Sequence, residues 1–180
     1  MIQEQIQELS PVNKIKIRHI MKDDLPALEW NGEFRHFRKV YADAYQRVLN
    51  GLSLIWVLEL PDTGIIGQLF VQLKCDRPEL ADGKNKAYMY AFRIQPVFRS
   101  QGFGERMMQV IQNDLWQRGF KTLTLNVAKD NLRAQKLYLR LGFAITADEP
   151  GNWSYPDDRG IWQQVHEPAW RMEKYLSPGD

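Results

Sequence analysis

Between Ala87 and Phe143 the chain reads AYMYAFRIQPVFRSQGFGERMMQVIQNDLWQRGFKTLTLNVAKDNLRAQKLYLRLGF. Ala87 to Ile94 is an apolar and aromatic run that meets Pro96, and it predicts a strand. From Gly102 to Arg118, residues Gly104, Met108, Ile111 and Leu115 recur every three or four positions, which is one helical face, and Gly119 stops it. Thr122 to Val127 alternates, with Leu123, Leu125 and Val127 on one side, and predicts a second strand. After Lys129-Asp130-Asn131, residues Ala134, Leu137, Tyr138 and Leu141 fall at i, i+3, i+4 and i+7 of a second helix that Gly142 ends. Strand, helix and strand with short connections make a βαβ unit, so the two strands are predicted to be parallel neighbours.

Upstream, Lys14 to Ile20 alternates as a first strand. Asp23 and Asp24 are placed to cap a short helix with Pro26 in its first turn, and a longer helix is predicted over Phe34 to Leu49, ending at Asn50-Gly51. Leu52–Leu60 and Ile65–Leu73 form a hairpin across Pro61-Asp62-Thr63-Gly64. Asp76 to Lys86 is a charged loop. Downstream, the segment with Trp153, Tyr155, Trp162 and Trp170 is expected to close the sheet with antiparallel strands. Residues 1–13, with Ile2, Ile6 and Leu9 at helical spacing before Pro11, read as a short helix or an N-terminal arm. No repeat or linker interrupts residues 1–180, which are expected to form one domain.

Composition narrows the function classes. The 180 residues are 44% hydrophobic and 26% charged, the balance of a globular chain with a real core. Net charge is only +2, which argues against a nucleic-acid-binding domain. That +2 is uneven: from Asp148 onward seven acids face three bases, while the preceding 147 residues carry 21 bases and 15 acids. A lone cysteine, Cys75, excludes an intramolecular disulfide, and three scattered histidines give no metal-ligand spacing, so no metal is expected. Neither a signal peptide nor a membrane-spanning run is visible, and a cytoplasmic protein is expected.

Arg99-Ser100-Gln101-Gly102-Phe103-Gly104 follows a strand and opens a helix. Glycines let the backbone come close to a ligand, and the helix start offers unpaired N–H groups and a positive dipole end, which suits a phosphate or pyrophosphate. A Walker loop is excluded because no Lys-Ser or Lys-Thr follows. A dinucleotide fingerprint lacks its third glycine, since position 107 is Met, and Asn126-Val127-Ala128 supplies no ribose-binding acid. A nicotinamide-type oxidoreductase is therefore disfavoured.

The combination of this loop with the helix behind it resembles the GNAT superfamily of acetyl-CoA-dependent N-acetyltransferases. The first motif matches at Arg99, Gly102 and Gly104. The second matches at Asn131, Ala134, Leu137, Tyr138, Gly142 and Phe143. The resemblance implies a mixed α/β fold: a mostly antiparallel central sheet with a parallel βαβ pair at its splayed centre, flanked by helices on both faces. It implies acetyl-CoA as co-substrate, with pantetheine lying against Phe92-Arg93-Ile94 by strand-like pairing. The pyrophosphate would rest on the amides from Ser100 through Gln101, Gly102, Phe103 and Gly104 to Glu105. Asn131 matches a position that binds the pantetheine arm, alongside its reading as a helix cap. Tyr138 matches the general acid that aids departure of the CoA thiolate.

Relatives place a base-like carboxylate where this chain has Tyr88 or Asn126, so a water relay is expected here, with Glu33 and Glu59 as distal alternatives. Cys75 reads as a packing thiol. The acceptor site in such a fold is built from the Glu33–Tyr41 and Trp153–Trp170 regions. Asp148, Glu149, Asp157, Asp158 and Glu167 suggest a cationic amine there: a polyamine, an aminoglycoside-like amine, or a lysine or N-terminus on a peptide. A CoA-binding sensor or scaffold with little catalysis is the alternative. Edge strands and C-terminal tryptophans are compatible with a homodimer.

Overall fold

A computed structural model describes residues 14–179, so the proposed N-terminal arm lies outside the described residues. The chain runs β1 (Lys16–His19), a 3-10 stretch (Lys22–Gly32), a 3-10 turn (Arg35–Phe37), α1 (Arg38–Leu49), β2 (Ser53–Leu60) and β3 (Gly64–Gln72). It continues through β4 (Lys86–Ile94), α2 (Phe103–Gln117), β5 (Thr122–Ala128), α3 (Leu132–Arg140), β6 (Ala144–Glu149), β7 (Asn152–Pro156), β8 (Trp162–His166) and β9 (Ala169–Tyr175). Seven strands form one sheet in the order β1-β2-β3-β4-β5-β9-β6. Only β4 and β5 are parallel, and the other pairs are antiparallel. The mixed architecture anticipated from the sequence is therefore present.

Side chains alternate between the faces, and each face has its own cover. Leu54, Trp56, Leu58, Leu69, Met89 and Leu125 share a buried cluster with Met107, Met108, Ile111 and Leu115 of α2. Phe103 and Met107 are as buried as the residues predicted for this helix face. On the other face Ile55, Val57 and Phe70 pack with Tyr41 and Ala44 of α1 and with Leu28. The loop after β3 covers the rest of that face near β5, where buried Thr124 donates its hydroxyl to the Leu80 carbonyl at 2.8 Å.

Two expectations are corrected. The segment after β6 does not lie wholly in the sheet: β7 and β8, carrying Trp153, Tyr155 and Trp162, form a separate two-stranded ribbon, and only β9 with Trp170 inserts between β5 and β6. Asp157 accounts for the ribbon, because its carboxylate accepts from the Arg159 and Ile161 amides at 2.9 Å each and closes a tight turn. At the first helix, Asp24 sits inside the first turn rather than at the cap, and its carboxylate reaches back to the Met21 amide at 2.7 Å.

Candidate active site

The βαβ unit opens where its two strands part. Register between β4 and β5 runs from Lys86/Thr122 to Met89/Leu125 and ends there. Beyond that point β4 stays with β3, through Tyr90/Phe70, Arg93/Gln68 and Ile94/Gly67, while β5 follows β9 to Ala128/Ala169. The register of β3 and β4 slips between Gln68 and Phe70, and opposite the slip Ala91 takes a positive φ of 48°. This bulge bends β4 away from β5 and leaves its inner edge without a strand partner among the described residues. Such an edge offers its backbone N–H and C=O groups to an extended ligand.

The glycine loop lies at the end of that edge. Ser100 and Gly102 both have left-handed backbones, φ 60° and 83°, so the chain turns sharply into α2. The first helical hydrogen bond runs from the Arg106 amide to the Gly102 carbonyl, so the amides of Phe103, Gly104 and Glu105 precede it and have no intrahelical acceptor. A Cβ on Gly104 would meet the Phe92 ring at 3.4 Å, which keeps the helix close to β4. Phe103 is itself a core side chain, so it can offer only its backbone to a ligand. Arg99 turns back to donate from Nε to the Ile94 carbonyl at 2.8 Å, and Gln101 donates to the Val97 carbonyl at 3.2 Å. Arg133, which sequence reasoning passed over inside the second motif, reaches Ser100 Oγ at 3.2 Å and adds a cation beside the loop. Glu105 pairs with Arg140 of α3.

Asn131 caps α3, accepting from the Ala134 amide at 3.1 Å. Tyr138, two residues from the end of α3, is 8% exposed and packs edge-to-face on Phe143 at 5.7 Å. Burial pushes its phenol up to about 12, so it stays protonated at any physiological pH.

On the opposite face Tyr88 and Tyr90 lie parallel, ring centroids 5.7 Å apart, and burial raises both phenols above their ordinary value. A neutral phenol and the amide of Asn126 are poor proton acceptors. Asn126 Oδ1 is buried without a hydrogen-bond partner among the described residues. The distal candidates add nothing nearby: Glu59 pairs with Arg18 at 2.9 Å, and Glu33 is exposed. Cys75 donates to the Arg77 carbonyl at 3.2 Å.

The two regions assigned to the acceptor do meet. Phe37 lies 4.8 Å from Tyr155 and 6.5 Å from Trp153 between ring centroids. With Arg93, Asp130, His166 and Glu167 these rings line an open cavity of about 640 Å³. The acids expected to draw a cation are mostly engaged elsewhere. Asp148 pairs with Lys129, Glu149 is buried between Arg77 at 2.8 Å and Arg171 at 3.4 Å, and Asp158 lies 3.4 Å from Arg35. Asp157 holds the ribbon turn, whose amides keep its carboxyl below the ordinary carboxylate value. Of the five, only Glu167 lines the cavity.

A model of the acetyltransferase (GNAT) family matches residues 16–143. The chain belongs to this family. As a GNAT protein it is similar to the uncharacterized N-acetyltransferase YycN of Bacillus subtilis (strain 168), 24% identical over 132 residues that cover 72% of this chain and 81% of that relative. The crystal structure of the ribosomal-protein-S18-alanine N-acetyltransferase from Escherichia coli superposes with a TM-score of 0.66 at 22% identity, over 92% of this chain and 96% of that one. The spermidine/spermine N-acetyltransferase SpeG from Vibrio cholerae gives 0.67 at 14% identity, over 91% and 94%. GNAT membership makes the chain an acetyltransferase that draws on acetyl-CoA, and the two structures support its fold. No helix among the described residues is long and apolar enough to cross a membrane.

Proposed function

We propose that this GNAT enzyme moves the acetyl group of acetyl-CoA directly to a primary amine within a ternary complex, with no acetylated enzyme between. The observation that carries the proposal is the parting of β4 and β5 beyond Met89 and Leu125, which leaves a strand edge for pantetheine and a passage between the faces of the sheet. Backbone groups of Phe92, Arg93 and Ile94 would hold the pantetheine and thioester. The amides from Ser100 to Glu105, with Arg99 and Arg133 beside them, would hold the pyrophosphate. Asn131 would add a polar contact to the pantetheine arm while capping its helix.

The acceptor enters from the cavity between Phe37 and the β7–β8 ribbon. Its nitrogen must be neutral to attack the thioester carbonyl carbon. As the C–N bond forms and the C–S bond breaks, a proton leaves nitrogen and the sulfur takes up negative charge. Strand N–H groups at the bulge would stabilise the oxyanion, and the Tyr138 hydroxyl would donate to the departing sulfur. With Tyr88 protonated and Asn126 an amide, water receives the amine proton. The unpaired thiol of Cys75 suits the cytoplasmic setting proposed for this reaction.

Calorimetric titration with acetyl-CoA and thiol release across an amine and peptide panel test the proposal. Acetyl-CoA is expected to bind, and CoA release to depend on an amine. The lack of a carboxylate at Tyr88 and Asn126 favours one rival, a CoA-binding sensor. Tight acetyl-CoA binding with no amine-dependent release would establish that rival instead.

A further inference from the structure

Arg93 is the unusual cation of the acceptor cavity. Its guanidinium carbon lies 4.3 Å from the centre of the Phe34 ring and 5.4 Å from that of Phe37, and Nη1 donates to the Tyr41 hydroxyl at 3.1 Å. Aromatic faces stabilise a cation without neutralising it. Of the other half-buried arginines, Arg18 ends on Asp24 and Glu59 and Arg171 on Glu149, while Arg47, outside the cavity lining, donates to the Lys74 carbonyl and the Ser53 hydroxyl. Arg93 lies within ion-pair distance of no carboxylate among the described residues. Glu29, whose charge reaches the Tyr41 hydroxyl, is itself bound to Arg38 at 2.6 and 2.8 Å. Asp130 and Glu167 line the same cavity yet stay beyond 4 Å. Lys129, the cavity's other cation, already pairs with Asp148 and lies 4.1 Å over the Trp170 ring.

A guanidinium has five N–H donors in a planar fork that matches a carboxylate in two-point contact. Here one donor meets an uncharged hydroxyl, and the fork is fixed by rings on the wall of a cavity large enough for a small acceptor. We infer that the acceptor amine carries a carboxylate and that Arg93 binds it. This rests on the acetyltransferase proposal and narrows it: the substrate is an amino-acid-like amine rather than a polycation. Arg93 is then a specificity-determining residue, whose side chain selects the acceptor while its backbone serves the pantetheine edge.

The test uses the full chain with acetyl-CoA and matched acceptors: the free α-amino acids, short ω-amino acids and glutamate-containing dipeptides, each beside its carboxamide. Thiol release gives kcat/KM. Titration of the CoA-bound protein with the N-acetylated products gives affinity independently of turnover. At least one carboxylate is expected to exceed its carboxamide by about 10- to 100-fold, the range of a charge-assisted hydrogen bond. Arg93→Gln should bring that ratio close to one, and Arg93→Lys should keep part of it. A melting curve checks that each variant is folded, and Arg93→Lys supplies the comparison where Arg93→Gln fails to fold. Whether the free amino acids or the dipeptides respond identifies the source of the carboxylate. Ratios near one throughout both readouts overturn the inference, as does a ratio that survives Arg93→Gln. Turnover confined to amines without an acid overturns this inference and leaves the acetyltransferase proposal standing, whereas failure to bind acetyl-CoA overturns that proposal.

Discussion

Replacing Tyr138 by Phe removes one hydroxyl and leaves the ring against Phe143, so the fold should hold while chemistry slows. The size of the effect follows from burial. The phenol titrates near 12, whereas a thiol titrates at about 8.5. Complete proton transfer from Tyr138 to a thiolate is thus uphill by about 3.5 pH units, roughly 5 kcal/mol. In the proposed mechanism Tyr138 would therefore act as a hydrogen-bond donor to the developing negative sulfur, and the proton that finally neutralises CoA would come from solvent. A hydrogen bond to a charged group is worth about 1.5–3 kcal/mol, so Tyr138→Phe should lower kcat by about 10- to 150-fold, with the acetyl-CoA dissociation constant within about threefold. The pH dependence adds a second check: since the phenol remains protonated, kcat of the wild type should show no downward limb from this residue below about pH 10. Steady-state thiol release between pH 6 and 10, on both proteins, reads each quantity. A variant with full kcat, or an alkaline limb near pH 8–9 in the wild type that Phe abolishes, would falsify the assignment.

Ala91 holds a left-handed backbone at φ 48°, a conformation that costs a β-branched residue roughly 1–3 kcal/mol. Ala91→Val should lower stability by about that much in urea unfolding and weaken acetyl-CoA binding, while Ala91→Gly should leave both nearly unchanged; a fully stable Val variant would show that the bulge is not needed. Arg18 donates to Asp24 at 2.7 and 3.0 Å and holds its carboxyl below the ordinary 3.8. The folded state thus favours the ionised form, so the stabilisation is present above the unfolded value and fades as pH falls through the folded one. Asp24→Asn should lower Tm at pH 7, with a gap that narrows by pH 3; a constant gap would count against the ion pair.

The sheet order around β4 and β5 was legible because periodicity switches between two and 3.6 within a short span, and because turns sit where glycine is required. The placement of Tyr138 on α3 and of the glycine loop at the start of α2 was legible for another reason: both lie in the two spaced motifs by which the chain resembles the GNAT superfamily. The ribbon of β7 and β8 was not, because its cause is one carboxylate, Asp157, choosing the backbone amides two and four residues on, and sequence marks Asp only as polar. The acidic tail misled in the same way. Charge counts cannot see that Glu149 lies between Arg77 and Arg171, residues distant in sequence, or that Asp148 is joined to Lys129. Arg93 was quoted for its backbone alone, since nothing in an alternating strand tells which face a residue takes once a bulge intervenes.

That bulge is what gives one strand two jobs. Met89 packs with the α2 cluster, and Tyr90 with the cluster beneath α1. Strict alternation would send Ala91 and Arg93 to the α2 side, burying a guanidinium among Met107, Met108 and Ile111, where no partner waits and the cost would be several kcal/mol. The extra residue at Ala91 reverses the order instead: Phe92 and Ile94 face the α2 cluster, and Arg93 joins Tyr41 on the other side. The same irregularity turns β4 from β5 and frees the backbone edge. On the proposed reading, cofactor cleft and acceptor contact would thus be coupled through a single backbone feature. A change that straightens β4 should damage acetyl-CoA binding and acceptor selection together, whereas a side-chain change at Arg93 should separate them.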